Sequence, residues 1–229
     1  MITKRKSSSG IFTTISMKIN AIDLFSGWAE TGRDEGMAIA HEPAVNEILN
    51  YIYKSQNNPF SFIDAGCGNG WVVKKVGFNP KCINAYGVDG SRKMIEKAKF
   101  NDPDGEYFCK NLLSWVPKNK ADIVHSMEVF YYFKSPLILT RHIVQNWMNP
   151  GGQLVVGMDH YVGNKESYSW SKDLNVHMTL LSDNDWLEIF RESGLNKCQA
   201  WKANRTKDSP GTLVISGNLI SAESNVTPA

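Results

Sequence analysis

The chain has 229 residues, of which 42% are hydrophobic and 21% charged, and its formal net charge is +2. This composition is typical of one globular domain with a sizeable core, and the charge is too small for a protein that binds by neutralising many phosphates. The four cysteines form no CxxC pair, and no apolar run approaches the roughly 20 residues that span a bilayer. We therefore expect no nucleic-acid partner, no membrane span, no disulfide framework and no metal site.

The two ends of the chain differ in composition from the rest. Residues 1–16 are basic and rich in serine and threonine, as organellar transit peptides and disordered leaders are. Residues 220–229 are predicted to form a disordered tail. Between them we expect an N-terminal lid and helix at 17–57 and a cofactor-binding domain at 58–219. The predicted location is cytoplasmic, or mitochondrial or another organelle if the leader is a transit peptide.

Helices and strands alternate along the first part of the domain. A helix is predicted from Pro43 to Lys54, with proline in its first turn and an apolar face. The later predicted strands lie at 61–64, before Asp89, near Tyr107, at 123–126 and at 154–158; the helices between them begin near Trp71, at the N-cap Ser91 and near Leu137. Such alternation builds a doubly wound parallel sheet.

The last part of the chain follows a different pattern. The turn at 149–152 is predicted to end a helix and to start the fifth strand, and Ser182 is predicted to cap the last helix. Two closing strands, 197–202 and 212–216, are joined by a polar turn without a helix, so they should pair as an antiparallel hairpin. The predicted fold class is α/β, with a doubly wound, seven-stranded, mostly parallel sheet and an antiparallel C-terminal hairpin.

A glycine-rich loop after the first predicted strand carries the strongest functional signal. In the sequence FIDAGCGNG at 62–70, Gly66, Gly68 and Gly70 lack a Cβ, so the backbone can turn sharply and approach a ligand closely. A second apolar run ends at Asp89, whose carboxylate can accept hydrogen bonds from two ribose hydroxyls. This pattern predicts a nucleoside cofactor held on a parallel sheet.

Two details favour S-adenosylmethionine over a dinucleotide. A dinucleotide loop reads G-x-G-x-x-G, whereas here the third glycine comes one position early. Asp64 would repel a pyrophosphate but would attract the ammonium group of a methionine moiety. A dinucleotide-dependent reductase remains an alternative, because Tyr161 and Lys165 have the spacing of a Tyr-x-x-x-Lys proton donor, although they fall in a predicted loop.

From these residues onward, the chain resembles the class I S-adenosylmethionine-dependent methyltransferase family over roughly residues 40 to 219. The matching segments are DAGCGNG (64–70), GVDGS (87–91), KNLLSW (110–115), ADIVHSMEVFYYF (121–133) and MNPGGQLVVGMDH (148–160). The resemblance implies a Rossmann-like methyltransferase fold and S-adenosyl-L-methionine as the cofactor. The cofactor-binding residues that it implies are Asp64, Gly66, Gly68, Gly70, Asp89, Ser91, Asn111, Leu112 and Met127. Asn111 stands where many members have aspartate.

The acceptor is expected beyond the ends of the fourth and fifth strands, beneath a lid formed by residues 25–41. The candidate substrate-contacting residues are Trp28, Arg33, His41 and Tyr132. The candidate catalytic residues are Glu128, Asp159 and His160. Among them His160 is the predicted base, because an unperturbed pKa near 6.5 suits proton removal at neutral pH.

Several of these residues also have a purely structural interpretation. Trp28 can be a packing anchor for the lid, and Arg33 can pair with Asp34 or Glu35 on the surface. His160 can be a structural imidazole paired with Asp159. These alternatives stay open from the sequence alone.

The predicted rim is acidic and aromatic, which favours an amine acceptor. The sequence SMEVFYY at 126–132 lacks the Asp/Asn-Pro-Pro-aromatic sequence of exocyclic-amine nucleic-acid methyltransferases, so a small-molecule acceptor is expected. The predicted activity is N-methylation of a small amine or amino acid. The alternatives are O-methylation of a small carboxylate or hydroxyl compound and a relative that binds the cofactor without turnover. The protein is expected to be a monomer or homodimer.

Overall fold

The computed structural model describes residues 18–221. The predicted leader at 1–16 lies outside the described residues, and so do residues 222–229 of the predicted tail. Among the helices of the described segment, none combines the length and the apolar character needed to cross a membrane.

Seven strands and seven α-helices make up the described chain. The strands are β1 (Phe60–Ala65), β2 (Cys82–Asp89), β3 (Glu106–Cys109), β4 (Ala121–Met127), β5 (Met148–Met158), β6 (Leu195–Ala203) and β7 (Thr212–Leu219). The helices are α1 (Ala21–Thr31), α2 (Arg33–Ser55), α3 (Trp71–Gly77), α4 (Arg92–Asn101), α5 (Pro136–Asn146), α6 (Trp170–Asp173) and α7 (Asp183–Glu192). Two short 3-10 helices lie at Phe130–Tyr132 and Lys165–Ser169.

All seven strands join one sheet in the order β3-β2-β1-β4-β5-β7-β6. Neighbours from β3 to β5 are parallel, whereas β7 is antiparallel to both β5 and β6. The predicted fold class and C-terminal hairpin are therefore confirmed. The strand order reverses between β1 and β4, so the loops that follow these two strands open on the same crevice.

Both faces of the sheet are covered, which explains why β1 is buried along its whole length. Alternate residues point to opposite faces. On one face, Phe62 and Ile123 pack with the apolar side of α2, which includes Ile48. On the other face, Ile63 packs in a larger cluster that contains Trp147.

The N-terminal segment differs from its prediction. We expected a lid at residues 25–41 and a separate helix starting at Pro43, but α1 and α2 together form a helical lid and Pro43 lies inside α2. Proline lacks the N–H that would bond the carbonyl of Ile39, and its ring pushes that carbonyl away. Ile39 is 73% exposed, so water can satisfy that carbonyl. Gly32, with a φ of 73°, ends α1 in the left-handed conformation and allows the turn into α2.

The fifth strand also starts earlier than predicted. It begins at Met148, before the predicted turn, and the register with β4 shifts so that Ala121 pairs with Met148 but Ile123 pairs with Gln153. The residues of the turn therefore form an irregular stretch within the strand. The two predicted N-caps are confirmed: Ser91 accepts a hydrogen bond from the amide of Met94, and Ser182 forms a capping box with Asp185.

Candidate active site

A cavity of about 1090 Å³ opens at the carboxyl ends of β1, β2 and β4, beneath α1 and α2. Pockets for drug-sized ligands have about 300–1,000 Å³, so this cavity has room for a nucleoside cofactor and a small second molecule. Twelve of the predicted site residues line it: Trp28, Arg33, His41, Asp64, Gly66, Gly68, Asp89, Asn111, Leu112, Met127, Glu128 and Tyr132. The other four, which do not line it, are Gly70, Ser91, Asp159 and His160.

The glycine loop forms one wall of the cavity. A Cβ on Gly66 would lie 2.3 Å from the side chain of Val129, and the φ of this glycine is +79°. Both features require glycine there. The amide of Gly68 donates a 3.1 Å hydrogen bond to Oδ2 of Asp89, which ties the loop to the end of β2.

Asp89 is held rigidly at the bottom of this wall. Its Oδ1 accepts a 2.7 Å hydrogen bond from the amide of Ser91. Burial raises the pKa of Asp89, although its backbone hydrogen bonds oppose the shift. Each carboxylate oxygen can accept more than one hydrogen bond, so Asp89 can still accept two hydroxyl donors from a ligand.

Gly70 and Ser91 support this wall from behind. A Cβ on Gly70 would lie 2.7 Å from the Tyr107 ring and 2.8 Å from Ala98, so this glycine serves the packing of the loop on β3 and α4. Ser91 is fully buried, and its hydroxyl is 2.8 Å from that of Ser26 in α1. Gly70 and Ser91 therefore do not line the cavity, but they hold in place the residues that do.

Two other predicted cofactor residues already use part of their hydrogen-bonding capacity. Oδ1 of Asp64 is 2.7 Å from Nδ1 of His125. Oδ1 of Asn111 accepts a hydrogen bond from the amide of Leu113 at 2.9 Å. The side-chain oxygen of Asn111, a predicted cofactor-binding residue, therefore also stabilises its own turn.

Sequence reasoning missed Asn69, although it lies inside the glycine loop. Its Nδ2 donates a 2.7 Å hydrogen bond to the buried carboxylate of Asp34 on α2, and its own Oδ1 is buried without a partner in the described chain. Asp34 also accepts a 2.8 Å hydrogen bond from Lys97 of α4. The signal for Asn69 was its position between two loop glycines, and nothing in the sequence linked it to α2.

Glu128 follows β4 and lies at the opposite end of the cavity from the Asp89 wall. It adopts a φ of 61°, and its Oε2 accepts a 2.7 Å hydrogen bond from the Tyr131 hydroxyl. Its Oε1 accepts a hydrogen bond from the amide of Asp159. Burial and the nearby Asp159 carboxylate raise the pKa of Glu128 to about 7.

Asp159 lies directly behind Glu128, at the end of β5. Its Oδ1 accepts a 2.6 Å hydrogen bond from the Thr212 hydroxyl, and its carbonyl accepts one of 2.7 Å from the side chain of Asn164. Its Oδ2 lies 3.5 Å from Nε2 of His41 on α2. Burial alone would lower the pKa of His41, but Asp159 and Glu128 raise it above its usual value.

His41, Glu128 and Asp159 are also residue types that ligate metals, and their donor atoms lie within 4.8 Å of one another. Both oxygens of Glu128 and Oδ1 of Asp159 accept hydrogen bonds from the protein. We therefore interpret these side chains as a hydrogen-bonded network.

His160 is not part of this network. It is 2% exposed, its Nδ1 is 3.0 Å from the carbonyl of Ser167, and its ring stacks on Trp170. Burial lowers its pKa. The structure therefore gives the predicted base no contact with a molecule in the cavity, and Asp159 pairs with His41 instead of with its neighbour.

The lid contributes an aromatic and cationic side to the cavity. The Arg33 guanidinium lies 4.3 Å above the centre of the Trp28 ring, while Asp34 and Glu35 pair with Lys97. Within residues 18–221 Arg33 forms no ion pair. Trp28 is 9% exposed, so it both anchors the lid and lines the cavity.

The adjacent residues Tyr131 and Tyr132 differ in their exposure. Tyr131 is buried and Tyr132 is partly exposed, and their hydroxyls lie 3.4 Å apart. Burial raises the pKa of Tyr132 above its usual value, although the nearby Tyr131 hydroxyl and Arg33 oppose the shift. Tyr161, the alternative proton donor, is buried away from this cavity and donates its hydroxyl to the carbonyl of Gly211.

Comparison with known proteins decides the cofactor class. The family model described as "Methyltransferase domain" matches residues 37–200. The chain belongs to the class I S-adenosylmethionine-dependent methyltransferase family. The dinucleotide alternative is thereby removed.

Curated relatives of this methyltransferase are distant and longer. A trans-aconitate 2-methyltransferase of Rhizobium leguminosarum bv. trifolii is 27% identical over 101 residues, covering 44% of this chain and 39% of the relative. A tRNA U34 carboxymethyltransferase of Pseudoalteromonas atlantica is 32% identical over 100 residues, covering 41% and 30%. The matches thus span less than half the length of either relative.

Solved structures share the fold over most of the chain. The Haloferax volcanii methyltransferase in complex with the Trm112 methyltransferase activator has a TM-score of 0.75 at 23% identity, and the match covers 86% of this chain and 97% of that one. A methyltransferase of Thermotoga maritima, described as a possible histamine N-methyltransferase, has a TM-score of 0.65 at 15% identity, with coverage of 86% and 98%.

The cavity of this methyltransferase fits the family cofactor. The wall formed by Gly66, Gly68 and Asp89 provides a close backbone approach and a carboxylate for two hydroxyls. Asp64 provides negative charge for an ammonium group, and the orphan oxygen of Asn69 provides an unused acceptor. When bound, S-adenosylmethionine supplies an electrophilic methyl group on a positively charged sulfur.

Proposed function

We propose that this methyltransferase transfers a methyl group from S-adenosylmethionine to the nitrogen of a small amine or amino acid. The acceptor would lie between Glu128, Tyr132 and His41, at the end of the cavity away from Asp89. Alignment of the two reactants in this cavity is the main contribution that the protein makes to such a displacement, because proximity can supply roughly 7–11 kcal/mol of the barrier.

The observation that carries this proposal is the buried carboxylate of Glu128 with Asp159 directly behind it. Two carboxylates so close disfavour each other's ionisation unless a cation lies nearby. A protonated amine would add a positive charge to the one that His41 can carry beside these carboxylates, and it would be oriented by Glu128. The aromatic rings of Tyr132 and Trp28 would also attract the ammonium group, because a cation over an aromatic ring gains about 0.5–2 kcal/mol.

O-methylation of a small carboxylate is the second candidate, and Arg33 favours it. The Arg33 guanidinium lines the cavity and forms no ion pair in the described chain, so it can bind a carboxylate in a bidentate manner. Three of the curated relatives are trans-aconitate 2-methyltransferases. In an amino acid acceptor, the same arginine would bind the carboxylate while the amine faces Glu128.

The test combines an acceptor screen with two variants. Purified protein is incubated with methyl-labelled S-adenosylmethionine and separate sets of small amines including histamine, amino acids and polycarboxylic acids, and products are identified by mass spectrometry. For an amine acceptor, we expect Glu128→Gln to lower kcat/KM at least tenfold and Arg33→Leu to have a smaller effect. For a carboxylate acceptor, the order of the two effects reverses.

Two further outcomes would contradict the proposal, and a third would show that the activity needs a partner. Label transferred to RNase-sensitive material in a cell extract would indicate a nucleic-acid acceptor. Turnover only after a partner protein is added would indicate that this chain works in a complex, as its Haloferax neighbour is found in one. Binding of S-adenosylhomocysteine without transfer to any extract component would indicate a relative that binds the cofactor without turnover.

A further inference from the structure

We propose that His41, oriented by Asp159, is the catalytic base that accepts the proton of the acceptor's ammonium group. This inference rests on the proposed N-methylation and assigns the proton-accepting role to a residue of the lid helix α2. The sequence assigned that role to His160, and it placed His41 among substrate contacts only.

A molecule in the cavity can reach His41. An amine acceptor arrives mostly protonated at neutral pH, and an ammonium nitrogen has no lone pair for attack, so a base must reach it. His41 lines the cavity with a side chain that is 13% exposed. Of the other four histidines, His125, His142 and His160 do not line it, and His177 lines it with its Nε2 3.0 Å from the Thr179 hydroxyl.

Asp159 is held so that one of its carboxylate oxygens faces His41. Its Oδ1 accepts a hydrogen bond from Thr212, its carbonyl accepts one from Asn164, and its amide donates one to Glu128. The remaining oxygen, Oδ2, faces His41. A carboxylate fixed in this way orients an imidazole and stabilises its protonated form. With Nε2 of His41 turned toward Asp159, the neutral tautomer carries its proton on Nε2 and leaves the lone pair on Nδ1. Within the described chain Nδ1 makes no hydrogen bond.

Charged groups from several elements surround His41. The carboxylates of Asp159 and Glu128, from the ends of β5 and β4, both favour the imidazolium ion. On α2 itself the adjacent Glu42 pairs with Lys75 at the surface. Arg33, at the start of α2, stacks on Trp28 beside Tyr132. The surroundings of His41 therefore stabilise the positive charge that proton transfer creates.

The proton transfer and the methyl transfer need no reactant other than the amine and S-adenosylmethionine. Nδ1 of His41 takes one proton from the ammonium, leaving a neutral amine and an imidazolium ion paired with Asp159. The amine lone pair forms the nitrogen–carbon bond to the methyl group while the carbon–sulfur bond breaks and its electron pair stays on sulfur. The methylated product carries the positive charge, and the imidazolium releases its proton to solvent. A carboxylate acceptor would arrive ionised and would need no such base.

The decisive measurement is an NMR titration of histidine-labelled protein saturated with S-adenosylhomocysteine. This readout needs no acceptor. We expect an imidazole signal that titrates above pH 6.5, disappears in His41→Gln and moves to lower pH in Asp159→Asn. A His41 signal that titrates at or below pH 6.5, or one that is unmoved by Asp159→Asn, would overturn the inference.

Turnover of an amine found in the screen supplies the second readout. His41→Gln should lower kcat at pH 7 by about 100-fold or more, with the affinity for S-adenosylhomocysteine unchanged. The deficit should shrink as pH rises, because more of the amine is then already deprotonated, and a merely structural defect would not show this. Glu42→Gln, the neighbouring substitution on the same helix, should leave kcat unchanged.

A loss of turnover in His160→Gln but not in His41→Gln would return the base role to His160 and refute the inference. Turnover that is unchanged in His41→Gln at pH 7 would also refute it. If the unaltered protein methylates none of the acceptors, the proposed function fails, and the titration separately decides whether His41 and Asp159 form the pair.

Discussion

The two ends of the cavity are built in different ways. The cofactor end consists of a loop and strand ends that are close in sequence, between residues 64 and 112, and backbone amides of this segment hold its Asp89 and Asn111 side chains by hydrogen bonds. The acceptor end joins His41, Glu128, Asp159 and Thr212, which come from a lid helix and three different strands or strand ends. The first end is fixed by local geometry, whereas the second depends on tertiary packing and on buried charge.

The largest expected effect lies at the cofactor end. Asp89→Ala should weaken S-adenosylhomocysteine binding at least 100-fold, because hydrogen bonds to a charged group contribute about 1.5–3 kcal/mol each and two would be lost. Isothermal titration calorimetry measures this directly. The matched control is Asp104→Ala, which removes an exposed carboxylate. Binding that stays within threefold of the unaltered protein would show that Asp89 does not hold the cofactor.

Gly66→Ala tests whether the glycine loop can accept a side chain next to Val129 at a positive φ. The new methyl would overlap Val129 at a positive φ, so we expect a loss of about 2–4 kcal/mol in the free energy of unfolding. Gly68→Ala is the control, since its φ is also positive but no atom lies within 4 Å of its Cβ, and it should lose only about 1–2 kcal/mol. Equal losses in urea unfolding would contradict the overlap with Val129.

Glu128→Gln tests the buried charge at the acceptor end. The pKa of Glu128 rises from 4.5 to about 7 on folding, so its contribution to stability is present below pH 4.5 and is lost as pH rises through 7. The variant lacks this titration. Relative to the variant, the unaltered protein should lose up to about 3 kcal/mol of unfolding free energy between pH 4.5 and 8.

Urea unfolding at several pH values measures this difference, with Glu106→Gln, an exposed residue of β3, as the control. Parallel stability curves for the unaltered protein and Glu128→Gln would mean that Glu128 keeps an ordinary pKa. The acceptor end would then lack the buried charge on which its contrast with the cofactor end depends.

The smallest effect concerns the lid that covers both ends. Lys97→Ala removes the cation that bonds both Asp34 and Glu35, leaving the buried Asp34 carboxylate with Asn69, and should cost about 1–2 kcal/mol of stability. Lys93→Ala, on the same helix, breaks only a surface pair with Glu30 and should cost less than about 1 kcal/mol. Thermal unfolding that ranks them in the reverse order would show that the lid is not anchored through Asp34.

The same contrast explains what the sequence could predict. The sheet, its hairpin and the Ser91 cap follow from local patterns of period and turn residues, and so does the position of Asp89 at a strand end. The helical lid was missed because proline is typical of the first turn of a helix, so Pro43 indicated a helix start. A long helix can nevertheless contain a proline where water reaches the carbonyl that loses its hydrogen bond, here that of Ile39. The pairing of His41 with Asp159 joins residues 118 positions apart, and no periodic signal links them. His160 attracted attention only because it adjoins Asp159 in sequence.

Glu128 has a further consequence for the evolution and engineering of this chain. A non-glycine residue in the left-handed region costs about 1–2 kcal/mol, and its burial as an anion adds to that cost. Glycine at this position would relieve both. A library selected only for thermal resistance would therefore be expected to discard the carboxylate, so thermostable descendants of this protein should be sorted by turnover before their melting temperatures are compared.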